Sequence, residues 1–134
     1  MAEKLFRLEI ISPERVFYEG DVSMLELTTS EGDIGIYAGH IPMTMVLAPG
    51  VATITEGHTT RDAALHSGFL LIEGEKVTVL AEIAEWPDEI DVRRAEEAKI
   101  RAQRRIASGE SGVDRARAEF ALKRSLARLH VVNK

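Results

Sequence analysis

The chain has 134 residues, no cysteine, 29% charged residues and a net charge of −5 at neutral pH. This size allows one domain or two small ones, and the absence of cysteine excludes a disulfide framework and thiolate metal centres. No uncharged apolar run is long enough for a membrane-spanning helix.

The charge is unevenly placed. Residues 1 to 86 hold five Lys/Arg against fourteen Asp/Glu, net −9, while residues 87 to 134 hold twelve against eight, net +4, and nine of those twelve are arginine. Arginine carries a planar donor fork suited to carboxylates and phosphates, so the second part points to oxyanion partners. The start Met1-Ala2-Glu3-Lys4 lacks the apolar core and the Arg/Ser bias of targeting peptides. The expectation is a reducing compartment entered without an import signal, most simply the bacterial cytoplasm.

From Leu5 to Glu85 short β-type runs alternate with turn residues. The runs Leu5–Ile10, Met24–Thr28, Val51–Thr55 and Val77–Leu80 are partly alternating or rich in β-branched side chains. Turns are expected at Ser12-Pro13, Glu19-Gly20-Asp21, Ser30 to Asp33, Pro49-Gly50, Glu56-Gly57 and Glu73-Gly74-Glu75. An antiparallel sandwich or flattened barrel follows, with Phe6, Leu8, Ile10, Leu25, Leu27, Ile54, Leu71, Val77 and Val79 in its core.

The run from Gly32 to Pro42 is rich in glycine but is no phosphate loop, since no Lys-Ser/Thr follows and no helix opens. ATP hydrolysis by this chain is therefore not expected. His40, His58 and His66 match no metal-ligand spacing, which favours structural or solvent-facing roles. Core packing is the expectation for most of Met43, Met45, Val46 and Leu47.

After Trp86-Pro87-Asp88 the period changes. Val92, Ala95, Ala98, Ala102 and Ile106 recur at spacings of three and four, predicting a helix from about Val92 to Ala107 with Asp91 as its N-cap. Arg93 and Arg94 oppose the helix dipole in that first turn, so something other than helix stability calls for a guanidinium there. Ser108 to Gly112 is the expected elbow, with Ser111 capping a second helix from about Val113 to Leu129 whose stripe is Ala118, Leu122, Leu126 and Leu129.

In the resulting hairpin Arg94 falls opposite residue 126, between Arg124 and Arg128, and Arg101 lies about 10 Å further along the same row. Arg124 and Arg128 repel at i,i+4 unless an anion lies between them. A polyphosphate is one such anion; a solvated basic face with Glu96, Glu97 and Glu119 as partners is the plainer reading. The alanine-rich stripe buries little area, so the hairpin is marginal alone and suited to two arrangements. Nucleic-acid binding is disfavoured, because the basic part has no interleaved aromatics and the whole chain is acidic.

The combination Gly32-Asp33-Ile34-Gly35, Gly39-His40-Ile41-Pro42, Leu47-Ala48-Pro49-Gly50, Ser67-Gly68-Phe69 and Lys76 to Ala81 resembles the epsilon subunits of F-type ATP synthases over essentially the whole chain. That resemblance implies a sandwich domain over residues 1–86, docking on the gamma subunit and the membrane rotor c-ring, and a regulatory two-helix hairpin over residues 87–134. It implies a non-catalytic, peripheral subunit at the cytoplasmic face of a bacterial membrane. In an extended form the helices of such subunits reach the alpha and beta subunits and block ATP hydrolysis. Some bacterial relatives bind ATP in the compact form through an Ile/Leu-Asp-x-x-Arg-Ala motif, matched here by Ile90, Asp91, Arg94 and Ala95. Glu85, Arg101, Arg124 and Arg128 occupy the positions that complete that site. ATP, with or without Mg²⁺, is thus the implied regulatory ligand, and no catalytic cofactor is implied.

Overall fold

A computed structural model describes residues 4–109 and 114–133. Eight strands come first: β1 (Phe6–Ile11), β2 (Val16–Val22), β3 (Met24–Thr29), β4 (Gly32–Tyr37), β5 (Met43–Leu47), β6 (Gly50–Glu56), β7 (Thr59–Glu73) and β8 (Lys76–Glu85). A single 3₁₀ turn at Pro87–Glu89 leads to two helices, α1 (Val92–Ser108) and α2 (Arg115–Val132).

The strand order β2-β1-β8-β7-β5-β3-β4, with β6 bridging β3 and β7, closes into a β-sandwich. Its neighbours are antiparallel except β1 and β8, which run parallel with Leu8 beside Val77 and Ile10 beside Val79. The long strand β7 serves both layers, pairing with β6 before residue 66 and with β5 after residue 67. The change of layer falls at Ser67 and Gly68, whose φ values of 49° and 141° lie in the left-handed region. Glycine is required at 68, because a Cβ there would stand 1.8 Å from the carbonyl oxygen of Leu80.

Alternation explains the core. Phe6, Leu8 and Ile10 of β1, Leu25 and Leu27 of β3, Ile54 of β6, and Val77 and Val79 of β8 are buried as the sequence predicts. Leu71 is not; Leu70 and Ile72 take the inward positions instead. The uninterrupted apolar run Phe69-Leu70-Leu71-Ile72 carries no alternation, so parity is set by the bend at 67–68 rather than by the side chains.

Two other expectations are corrected, and the Gly-rich run is placed in the sheet. Glu19-Gly20-Asp21 lies inside β2, paired with β1, instead of forming a turn. Most of the Gly-rich run is the strand β4, hydrogen-bonded along its length to β3. Of the group Met43, Met45, Val46 and Leu47, only Leu47 is fully buried, and Met43 and Val46 are exposed.

Asp91 caps α1, its carboxylate accepting a hydrogen bond from the Arg94 amide at 3.2 Å. The helix ends at Ser108, one residue later than predicted, and Gly109 caps it with φ 60°. The cap of α2 is Asp114, which accepts from the Arg117 amide at 3.1 Å; Ser111 lies outside the described residues, as does the rest of the elbow after Gly109.

The predicted second-helix stripe is partly overturned. Leu126 is exposed, while Ser125, Ala127 and Val131 join Ala118 and Leu129 as buried residues. This helix has two covered faces. Ala118, Ser125 and Leu129, at spacings of seven and four, share one face, and Val131 packs on Ala64 of the sandwich and Ile90 of the linker. Small residues dominate because α2 is held close to two neighbours at once.

Candidate functional site

The linker between strands and helices is fixed by aromatic stacking. Trp86 stacks on Phe17 with ring centroids 4.2 Å apart, and the Arg61 guanidinium lies 4.0 Å from the Trp86 centroid on the sandwich side. Glu89 then accepts from the Trp86 amide at 2.9 Å and from the Arg15 guanidinium at 2.7 Å. These contacts place Ile90 and Asp91 beside the end of β8.

There a cleft of about 340 Å³ opens, lined by Glu85, Glu89, Ile90, Asp91, Arg94, Ala95, Ala98, Arg101 and Arg128. Seven of the eight residues singled out from the sequence meet around it. Arg124 does not line it. Glu89 and Ala98 are additions; Ala98 was legible on the alanine face of α1, but nothing in the sequence marked Glu89.

The cleft joins three parts of the chain. Arg128 of α2 donates through Nε to Glu85 Oε1 at 2.7 Å, and the buried His66 of β7 lies 3.0 Å from the same oxygen through Nε2. Burial alone would raise the Glu85 carboxyl, but the hydrogen bonds from His66 and Arg128 outweigh it and hold it below the ordinary value. Burial lowers His66, and the positive charges of Arg128 and Arg124 push the same way against the opposing pull of Glu85.

The expected repulsion at i,i+4 is therefore answered inside the chain, since Glu85 supplies the counter-charge to Arg128. The other carboxylates are also engaged. Glu89 is paired with Arg15, and Asp91 caps α1. Among the described residues no carboxylate lies within ion-pairing distance of the guanidinium of Arg94 or Arg101. Both remain available to an incoming anion, and with the three carboxylates committed the geometry suits binding rather than turnover.

The three histidines do not converge, and the described residues contain no cluster of three metal-ligating side chains. His66 is the only fully buried one of the three. Its place beside Glu85 escapes a sequence reading, because it depends on the pairing of β7 with β8.

The family description "ATP synthase, Delta/Epsilon chain, beta-sandwich domain" matches residues 5–87, and "ATP synthase, Delta/Epsilon chain, long alpha-helix domain" matches residues 88–133. The chain belongs to the ATP synthase delta/epsilon family. It is 41% identical over 133 residues to the ATP synthase epsilon chain of Caldanaerobacter subterraneus subsp. tengcongensis, covering 98% of this chain and 96% of that one. It is 43% identical over 130 residues to the epsilon chain of Clostridium novyi, covering 96% and 98% respectively.

Its fold is similar to a chain in the mitochondrial ATP synthase structure of Euglena gracilis, with a TM-score of 0.83 at 22% identity over 100% of this chain and 85% of that one. As an epsilon-type member of this family it is a non-catalytic subunit of the synthase central stalk. No helix among the described residues is long and apolar enough to cross a membrane.

Proposed function

We propose that the subunit regulates the synthase through an adenine nucleotide bound in the cleft between sandwich and hairpin. Arg94 and Arg101 bind the phosphates with Arg128 opposite them, and Arg124 joins by a change of rotamer. Glu85 serves the adenine or ribose side, and Asp91 caps α1. ATP, with or without Mg²⁺, then staples the compact hairpin. Without it the helices leave the sandwich, reach the alpha and beta subunits and block ATP hydrolysis, while the sandwich stays on the gamma subunit and c-ring at the cytoplasmic face of the membrane.

The observation that carries this reading is the pair of α1 guanidiniums without carboxylate partners among the described residues, lining one cleft with Arg128 of α2. A ligand touching both helices binds the compact form better than the extended one, which is the condition for shifting the population. Titration calorimetry of the full chain with ATP tests it. Binding is expected in the wild type and lost in the double variant Arg94→Ala, Arg101→Ala; heat of binding that survives both substitutions defeats the assignment.

A second reading, a structural coupling subunit without nucleotide regulation, is favoured by one specific contact. Glu85 already neutralises Arg128, so the compact hairpin is held by an internal ion pair. On that reading the melting temperature is indifferent to ATP, whereas a specific ligand raises it with concentration.

A further inference from the structure

The buried polar side chains among the described residues are Thr29, His66 and Ser125. Two of them are conventional: Thr29 donates to the Gly32 carbonyl and Ser125 to the Ala121 carbonyl. His66 differs. It is 1% exposed, its Nε2 meets Glu85, and its Nδ1 is sealed from solvent with no hydrogen-bond partner among the described residues.

The tautomer follows from the partners. An ionised carboxylate only accepts, and Arg128 also donates to that Oε1, so the His66 proton sits on Nε2 and Nδ1 is bare. A second proton on Nδ1 creates a buried cation whose new N–H finds no acceptor. The ionisable groups acting on His66 are Glu85 from β8 and Arg124 and Arg128 from α2, and two of these three repel it once charged.

We propose that His66 is a positioning residue for the nucleotide cleft: its neutral imidazole fixes Glu85, Glu85 holds Arg128 and thereby α2, and proton uptake at Nδ1 loosens α2 and weakens nucleotide binding. The affinity half rests on the nucleotide reading above; the docking half does not. When α2 departs, His66 loses its cover and both arginines while keeping Glu85, so the open form takes the proton more readily than the closed one. The His66 contribution to docking is fully present above the ordinary histidine value of about 6.5 and fades as pH falls below it toward the depressed value of the closed form.

The test uses the full chain, in which the absence of cysteine allows labels at His58→Cys and Asn133→Cys. Energy transfer between the labels reads docking without nucleotide, and calorimetry reads ATP affinity, both from pH 7.5 to pH 5.5. In the wild type transfer and affinity are expected to fall across this range. His66→Gln keeps a donor toward Glu85 without titrating at Nδ1, so it should retain affinity near the wild-type value at pH 7.5 and lose the pH-dependent fall in docking.

His66→Val should lower affinity at pH 7.5 by about tenfold or more, as expected for one hydrogen bond to a charged group. If that variant does not fold, the comparison with His66→Gln decides alone. ATP's own terminal phosphate titrates nearby, so the difference between wild type and His66→Gln is the quantity read. An unchanged pH response in His66→Gln overturns the proposal, as does pH-independent docking in the wild type. No ATP binding at pH 7.5 alongside a His66-dependent change in docking overturns the nucleotide reading and leaves the docking half standing.

Discussion

Arg128 and Glu85 meet at 2.7 Å across 43 residues of sequence, joining the second helix to the last strand of the sandwich. Each is about three-quarters buried, so solvent screens the pair only in part. Arg128→Ala leaves Glu85 with His66 alone and is expected to weaken hairpin docking by about 1–3 kcal/mol. Faster hydrogen exchange across α2, with the β-strands unchanged, is the expected signature. Equal acceleration in strands and helix would mean that the pair supports the whole fold and not the docked hairpin.

Glu85 gives the acid response a second step, below that of His66. Its carboxyl is held below the ordinary value of 4.5 when the hairpin is docked. Its contribution is therefore fully present above about 4.5 and fades as pH falls through that value toward the depressed one. Docking measured between pH 5 and pH 3 should show this step in the wild type and lose it in Glu85→Gln. A step of unchanged size in that variant assigns the acid response to another carboxylate.

The fold was largely legible because β-branched runs, turn residues and the three-four spacing of alanines all report local preferences that the tertiary structure keeps. Where the reading failed, two surfaces compete for one element. Leu71 loses to Leu70 and Ile72 because a backbone bend sets the parity of β7, and Leu126 loses to Ser125, Ala127 and Val131 because α2 packs on both α1 and the sandwich. The arginines of the cleft could be counted outward from the elbow. The internal pairings could not: the contact of Glu85 with Arg128 and His66, and the place of Glu89, arise from strand pairing and linker stacking, which leave no periodic mark on the sequence.

Asp91 separates two roles that the motif combines. As an N-cap it accepts from the Arg94 amide, a task asparagine performs about as well, whereas alanine costs about 0.5–2 kcal/mol of helix stability. Asp91→Asn is therefore expected to leave α1 intact by circular dichroism, and Asp91→Ala to fray its first turn. If capping is its whole contribution to the cleft, Asp91→Asn also keeps ATP affinity. A loss of tenfold or more with the helix intact would assign the negative charge a direct role at the ligand.

Gly68 is where a side chain is least tolerable. The Cβ of an alanine there would sit 1.8 Å from the Leu80 carbonyl oxygen, against backbone rather than a flexible side chain, at a φ of 141° that L-residues rarely adopt. Gly68→Ala should destabilise the sandwich by more than about 2 kcal/mol, lowering its thermal midpoint by several degrees. Gly57→Ala is the control: its φ of 61° is also positive, but a Cβ there meets nothing within 4 Å. The smaller loss expected from it isolates the backbone clash from the conformational strain.

Removing residues 87–134 tests the division between assembly and regulation. The buried core cluster of the sandwich runs from Phe6 to Ala84, with Trp86 packed against its rim, so its main packing lies before the cut. What truncation uncovers is small: Ala64 and part of Val51, which pack with Ile90, Val131 and Val132, together with the face of His66. The truncated chain should fold and enter the synthase, and on the proposed reading ATP hydrolysis by the assembled enzyme should rise once the helices are gone. Assembly lost on truncation would place the main docking surface on the helices, and unchanged hydrolysis with assembly intact would remove inhibition from their role.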